Sequence, residues 1–192
     1  MTAEEIWAEL LEGNRRFVAG RPQQRDLVRE RQLVAESQNP KAVVLTCFDS
    51  RVVPETIFDQ RLGDLLVVRV AGHVADKVAI GSLELAVEHL GVPLLLVIGH
   101  QHCAAVKTAH TSQKVNSSNL KAIIKAVRSS SGSAGFEAGD EQAMRAAEMQ
   151  NARHAASSLV DRSNILRERV ERGALSIVAA YYRLDSGVVE RL

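Results

Sequence analysis

The chain has 192 residues, 46% hydrophobic and 24% charged, the size and balance of one ordinary soluble domain with its own core. Its 24 basic and 23 acidic side chains leave a formal charge of +1, and aromatics make up only 4%, so no nucleic-acid stripe, base-stacking platform or membrane-seeking face is expected. No apolar run reaches the roughly 18 residues of a membrane span. The start "MTAEEIWAELLEGNRRF" lacks a signal-peptide pattern, and two cysteines make no disulfide framework, which together predict a cytoplasmic protein.

In chain order, Thr2 and Glu5 form a capping-box pattern ahead of an amphipathic helix striped by Ile6, Leu10, Leu11, Phe17 and Val18. Trp7 lies beside that stripe, and its bulk predicts a second surface to cover it. The polar stretch "RPQQRDLVRERQLVAESQNP" holds one short helix before Pro40. Then "KAVVLTCF", "DLLVVRVAG" and "PLLLVIGH" are short, continuous apolar runs, the texture of parallel strands buried on both faces. Between the second and third, Ile80, Leu83, Val87 and Leu90 recur at helical spacing and Gly91 stops them, completing a β-α-β unit. From Cys103 to Arg172 the pattern is mostly helical: one stripe over Leu120, Ile123, Ile124 and Val127, one from Met144 to Leu159, and a last helix from Ser163 to Glu171. The segment "SSSGSAGFEAGD" between the first two reads as a surface loop. The end, "ALSIVAAYYRLDSGVVERL", reads as a strand, a turn at Asp185-Ser186-Gly187 and a short strand. The expectation is a single α/β domain over residues 1–192, a mostly parallel central β-sheet flanked by helices. Residues 1–37 form an N-terminal helical arm and 38–192 the core.

Chemistry gathers where two of the apolar runs end. Ligands of open parallel sheets collect at the carboxyl ends of strands. There Cys47 follows the first run, while His100 and Cys103 close the third. Two thiolates and an imidazole suit zinc, with water or a carboxylate in fourth place. Singly, a His-x-x-Cys pair or a buried cysteine reads as packing; both cysteines falling at strand ends points to a metal. His102 is the poorer ligand, since neighbouring residues face different ways. A dithiol redox centre would favour Cys-x-x-Cys, whereas these thiols are 56 positions apart. Asp49 and Arg51 read either as a surface ion pair worth little or, beside a metal thiolate, as a carboxylate held off the metal and free to orient its water.

The segments "CFDSRVVPETIF", "GDLLVVRVAGH", "GSLELAVEHLGV" and "GHQHC", with "LLEGNRRFVAG" and "AYYRLDSGVV" at the two ends, resemble the β-class carbonic anhydrases. The likeness covers most of the chain and thins between Lys107 and Asp161. It implies one zinc ion per chain on Cys47, His100 and Cys103, with Asp49 and Arg51 as the catalytic dyad and Asp49 as fourth ligand in a closed state. Gln38 of "SQNP" matches the family's substrate-binding glutamine. The implied reaction is reversible hydration of carbon dioxide to bicarbonate and a proton by zinc-bound hydroxide. The alternatives are hydrolysis of carbonyl sulfide or carbon disulfide at the same site, or a non-catalytic zinc protein. The resemblance also implies a homodimer or tetramer in which the arm clasps a second subunit and covers Trp7. Four residues depart from the family pattern: Gln101 and Ala104 replace serine and glycine around the third ligand, His73 stands where many members carry asparagine, and Val70 differs likewise. A methyl group at Ala104 is expected to crowd the pocket.

Overall fold

The computed structural model describes residues 1–111, 115–132, 136–137 and 139–192. Side-chain caps set the helix starts. Thr2 Oγ1 accepts from the Glu5 N–H (3.2 Å) while Glu5 Oε2 accepts from the Thr2 N–H (2.7 Å), the reciprocal box that opens α1 (Ala3–Val18). Asp26 caps α2 (Leu27–Leu33) and Asp76 caps α4 (Lys77–His89). A four-residue helix α3 (Pro54–Ile57) lies between them and opens on a proline, which cannot continue a helix backwards but fits its first turn. Beyond the third strand come α5 (Ala104–His110), α6 (Ser118–Ser131), α7 (Glu141–Arg162) and α8 (Asn164–Glu171), the last three capped by Ser117, Asp140 and Ser163.

The strands are β1 (Ala42–Thr46), β2 (Leu65–Arg69), β3 (Leu94–His100), β4 (Ser176–Tyr182) and β5 (Val189–Arg191), in the order β2-β1-β3-β4-β5. The first four run parallel and β5 closes the edge antiparallel. The expected β-α-β unit is present as β2-α4-β3, but its strands flank β1 rather than pairing with each other. Alternate residues of each strand serve opposite faces. Ala42, Val44, Leu94, Leu96 and Ile98 pack with α1 and α3, whereas Val43, Leu45, Leu95 and Val97 pack with α4, α7 and α8. This double coverage is why the strands read as continuous apolar runs.

The structure corrects the reading of Trp7. It is 5% exposed, buried by its own chain with Ile6 and Leu10 and set edge-on to Phe58 at 6.4 Å between ring centroids. Asn14 locks the same helix down. Its amide donates to the carbonyls of Ile57 (3.1 Å) and Gly187 (2.8 Å), and its oxygen accepts from the Val189 N–H (3.0 Å). Nearby, buried Asp59 pairs with Arg16 (2.5 Å) and Arg25 (3.0 Å). The loop expected over residues 129–140 begins later than its composition suggests: Ser129, Ser130 and Ser131 form the last turn of α6, all three returning their hydroxyls to its carbonyls at i−4. Residues 133–135 and 138 lie outside the described residues. Among the described residues no helix is long and apolar enough to cross a membrane.

Candidate metal centre

The parallel pairing of β1 with β3 builds the site. Its register ends on Thr46 opposite Ile98, and the Thr46 hydroxyl donates to the Ile98 carbonyl at 2.9 Å, tying the two strand ends together. Cys47 is the next residue on one side, and His100 and Cys103 follow on the other. The ligand atoms of Cys47, His100 and Cys103 all lie within 4.8 Å of one another, and the two sulfurs are 4.0 Å apart. Each of the three residues is 1% exposed.

Backbone groups aim these side chains. The His100 Nδ1–H donates to the Gln101 carbonyl (2.9 Å), which fixes the tautomer and leaves Nε2 a bare lone pair. That buried Nε2 has no hydrogen-bond partner among the described residues. The Gly72 N–H points at Cys47 Sγ (3.4 Å), favouring the thiolate. Gly72 holds a φ of +63°, and a Cβ there would meet Val127 Cγ2 at 2.7 Å, so only glycine fits. The Cys103 thiol, donating to Cys47, and the His100 imidazole together hold Cys47 far below the usual thiol range, while the same sulfur contact and burial push Cys103 up. Burial opposes charging His100, and Cys47 outweighs it, leaving the imidazole above its usual range. Thiolates and a neutral imidazole are the forms in which these side chains take up a cation. An orphaned imidazole nitrogen and two converging sulfurs fit a soft-to-borderline dication in a tetrahedral setting.

Asp49 and Arg51 lie just outside the triangle and face each other. Asp49 Oδ1 accepts from the Arg51 N–H (3.0 Å) and Nε (2.9 Å), and Oδ2 from Nη2 (2.7 Å). That fork holds the Asp49 carboxyl well below the usual carboxylate range. Asp49 is not one of the clustered ligand groups found among the described residues. Arg69, at the end of β2, donates to the carbonyls of Cys47, Phe48 and Asp49, bracing the loop that carries both ligand and dyad.

The remaining candidates are placed as follows. Gln38 lies exposed in the connection between α2 and β1, with no hydrogen bond to these residues among those described. His102 adopts a left-handed φ of +55°, turns outward and meets Glu141 at 3.7 Å, away from the triangle. Ala104 is exposed at the start of α5. Gln101 exchanges two hydrogen bonds with Asp185, at 3.2 and 3.1 Å, joining the ligand turn to the β4–β5 turn. Val70 packs beside the α4 face of the sheet. His73 is buried, its Nε2 accepting from the Asn151 amide at 2.9 Å, and burial lowers its pKa to about 4, keeping it neutral. No motif pointed to Glu148, which accepts from the Cys103 N–H (2.8 Å) and the Tyr181 hydroxyl (2.6 Å). The one signal for it was an acid inside the stripe of Met144, Ala147, Asn151 and Ala152.

A parallel sheet that presents a buried Cys-His-Cys triangle at its strand ends, with a locked Asp–Arg pair beside it, is a site that could hold a metal ion. Comparison with known proteins names the class. The family model for carbonic anhydrase matches residues 42–189. A relative named carbonic anhydrase 2, from Mycobacterium tuberculosis, is 41% identical over 94% of this chain and 88% of its own. A carbonic anhydrase of Mycolicibacterium smegmatis is 39% identical over 96% and 90%. Among solved structures, the β-carbonic anhydrase of Coccomyxa in complex with acetazolamide superposes with a TM-score of 0.77 at 26% identity, covering 86% of this chain and 77% of that one. The chain belongs to the β-class carbonic anhydrase family.

Proposed function

We propose that Cys47, His100 and Cys103 hold one zinc ion per chain, and that around it the protein carries out its family's reaction, reversible hydration of carbon dioxide to bicarbonate and a proton. The observation that carries this is the buried triangle with its orphaned His100 Nε2. Zinc held there supplies Lewis acidity and a water of lowered pKa as the nucleophile. Asp49, kept ionised by Arg51, would serve as the hydrogen-bond acceptor that orients such a water. Arg51 engages both carboxylate oxygens and would so restrain Asp49 from becoming a further ligand. Gln38 is retained as amide donor to the developing oxyanion on its motif alone. A non-catalytic site would add a fourth protein ligand, whereas three groups cluster here among the described residues. Carbonyl sulfide and carbon disulfide hydrolysis finds no support in the relatives, which are named carbonic anhydrases.

A reducing, cytoplasmic setting suits two free thiols serving as metal ligands. A homodimer or tetramer is supported by apolar side chains left bare on two helices: Leu27, Val28 and Leu33 of α2, and Val78 and Leu85 of α4. Light scattering at micromolar concentration checks that assembly, and a lone monomer overturns it. For the reaction, zinc content and carbon dioxide hydration are measured on one sample before chelation, after it, and after zinc is returned. Activity that follows zinc through all three stages is expected. A folded, fully active protein without metal would overturn the reading.

A further inference from the structure

Directly behind the triangle sits a carboxylate with an unusual set of partners. Glu148 is 1% exposed, on the face of α7 that packs against β3 and β4. Each of its oxygens takes one donor: Oε1 the Cys103 N–H and Oε2 the Tyr181 hydroxyl. No lysine or arginine forms an ion pair with it among the described residues. Burying a carboxylate without a cation is costly, and an apolar side chain of similar size would fill the space more cheaply. What the carboxylate holds explains its presence.

Cys103 is the residue in need of holding. It is the N-cap of α5, with extended backbone and no capping side chain, so its N–H lies outside the helix ladder. The preceding residue, His102, is in the left-handed region, so the turn between the second and third ligands is sharp. Without Glu148 that N–H would be a buried orphan on the ligand itself. The support behind Glu148 is rigid: a Cβ on Gly99 of β3 would stand 3.0 Å from Ala152 Cβ and 3.2 Å from the Glu148 carbonyl, so α7 lies as close to β3 as a glycine allows.

We infer that Glu148, backed by Tyr181, is a positioning residue for the metal: it grips the Cys103 backbone so that Sγ faces Cys47 and His100. The inference rests on the triangle being the zinc site. Its test compares the parent with Glu148→Gln, Glu148→Ala and Tyr181→Phe. Each is stripped of metal and titrated with zinc against a chromogenic chelator, then with cobalt, whose sulfur-to-metal charge-transfer band reports thiolate geometry. Glu148→Ala should bind zinc about 10–100-fold more weakly, with a displaced cobalt band. Glu148→Gln keeps an acceptor for the Cys103 N–H and turns its amide toward the Tyr181 oxygen, so it should stay within about threefold of the parent. Parent-like zinc affinity in Glu148→Ala overturns the inference, and so does an equal loss in Gln and Ala, which would make charge rather than the hydrogen bond the active element. If Glu148→Ala does not fold, Tyr181→Phe decides: affinity lowered about 3–10-fold supports the grip, and an unchanged value and band refute it. A parent that binds neither ion overturns the zinc reading itself, an outcome separate from any difference among the variants.

Discussion

Gly13 sits inside α1, where helix propensity alone says that alanine would stabilise by about 1 kcal/mol. The packing says the opposite. A Cβ at that position would stand 1.8 Å from the Phe58 carbonyl oxygen and 2.7 Å from its carbon, both backbone atoms that cannot rotate away. An ordinary C···O contact is about 3.3 Å, so α1 would have to back off by roughly 1.5 Å. Asn14 is the next residue, and its three hydrogen bonds to Ile57, Gly187 and Val189 would stretch or break, at about 1 kcal/mol each. Overpacking itself costs about 1–3 kcal/mol. Set against the propensity gain, Gly13→Ala should lose about 3–5 kcal/mol, or about 6–20 °C in Tm for a chain of this size. Urea unfolding followed by far-UV circular dichroism, with a thermal melt beside it, measures both. A variant as stable as the parent, or more so, would show that α1 does not lie against α3 as described, and the account of Trp7 burial would fall with it.

Removing a ligand by Cys103→Ala should reduce zinc to well below one per chain by mass spectrometry, since three protein ligands are the usual minimum for a catalytic site; full retention would exclude Cys103. Arg51→Ala frees both oxygens of Asp49 and should lower carbon dioxide hydration about 10–100-fold in stopped-flow assays with zinc content unchanged. Asp59→Asn leaves Arg16 without its carboxylate and Arg25 with only Glu30, at 3.7 Å, and should cost about 3 kcal/mol at pH 7. Burial works to raise the Asp59 pKa, but Arg16, Arg25 and the Gln23 N–H outweigh it, so the folded value is depressed. A depressed carboxylate contributes stability above its unfolded pKa of about 3.9 and loses it as pH falls toward the folded one. The gap between parent and Asp59→Asn in urea should therefore hold from pH 7 to about 4.5 and narrow below about pH 4; a gap that widens in acid would refute the pairing.

The strands were legible because burial on both faces writes itself as unbroken Val, Leu and Ile, and the helix starts because caps are short-range chemistry. The clustering of Cys47, His100 and Cys103 was legible for a related reason: strand ends are easy to place, and both cysteines fall on them. Trp7 was misread because the polar stretch after α1 suggests separation. Nothing local records that α1 folds back onto Phe58 and the β4–β5 turn, partners more than forty positions away in sequence. Glu148 went unseen because α7 buries mainly alanines, a weak stripe in which an acid looks like a solvated position. Gln38 rests on its motif alone: it lies exposed in the connection between α2 and β1, and no described hydrogen bond ties it to the triangle.

The order of strands also has a meaning in time. All three triangle residues, and both strands that carry them, belong to the first 103 positions of the chain. The group that grips the last of them comes 45 residues later, and its own partner Tyr181 another 33. Pairing of β1 with β3 closes a loop of modest length and is within reach as soon as residue 100 has left the ribosome. Docking of α7 and β4 has to wait for most of the remaining synthesis. A chain ending at residue 103 would hold all three triangle residues but neither Glu148 nor Tyr181.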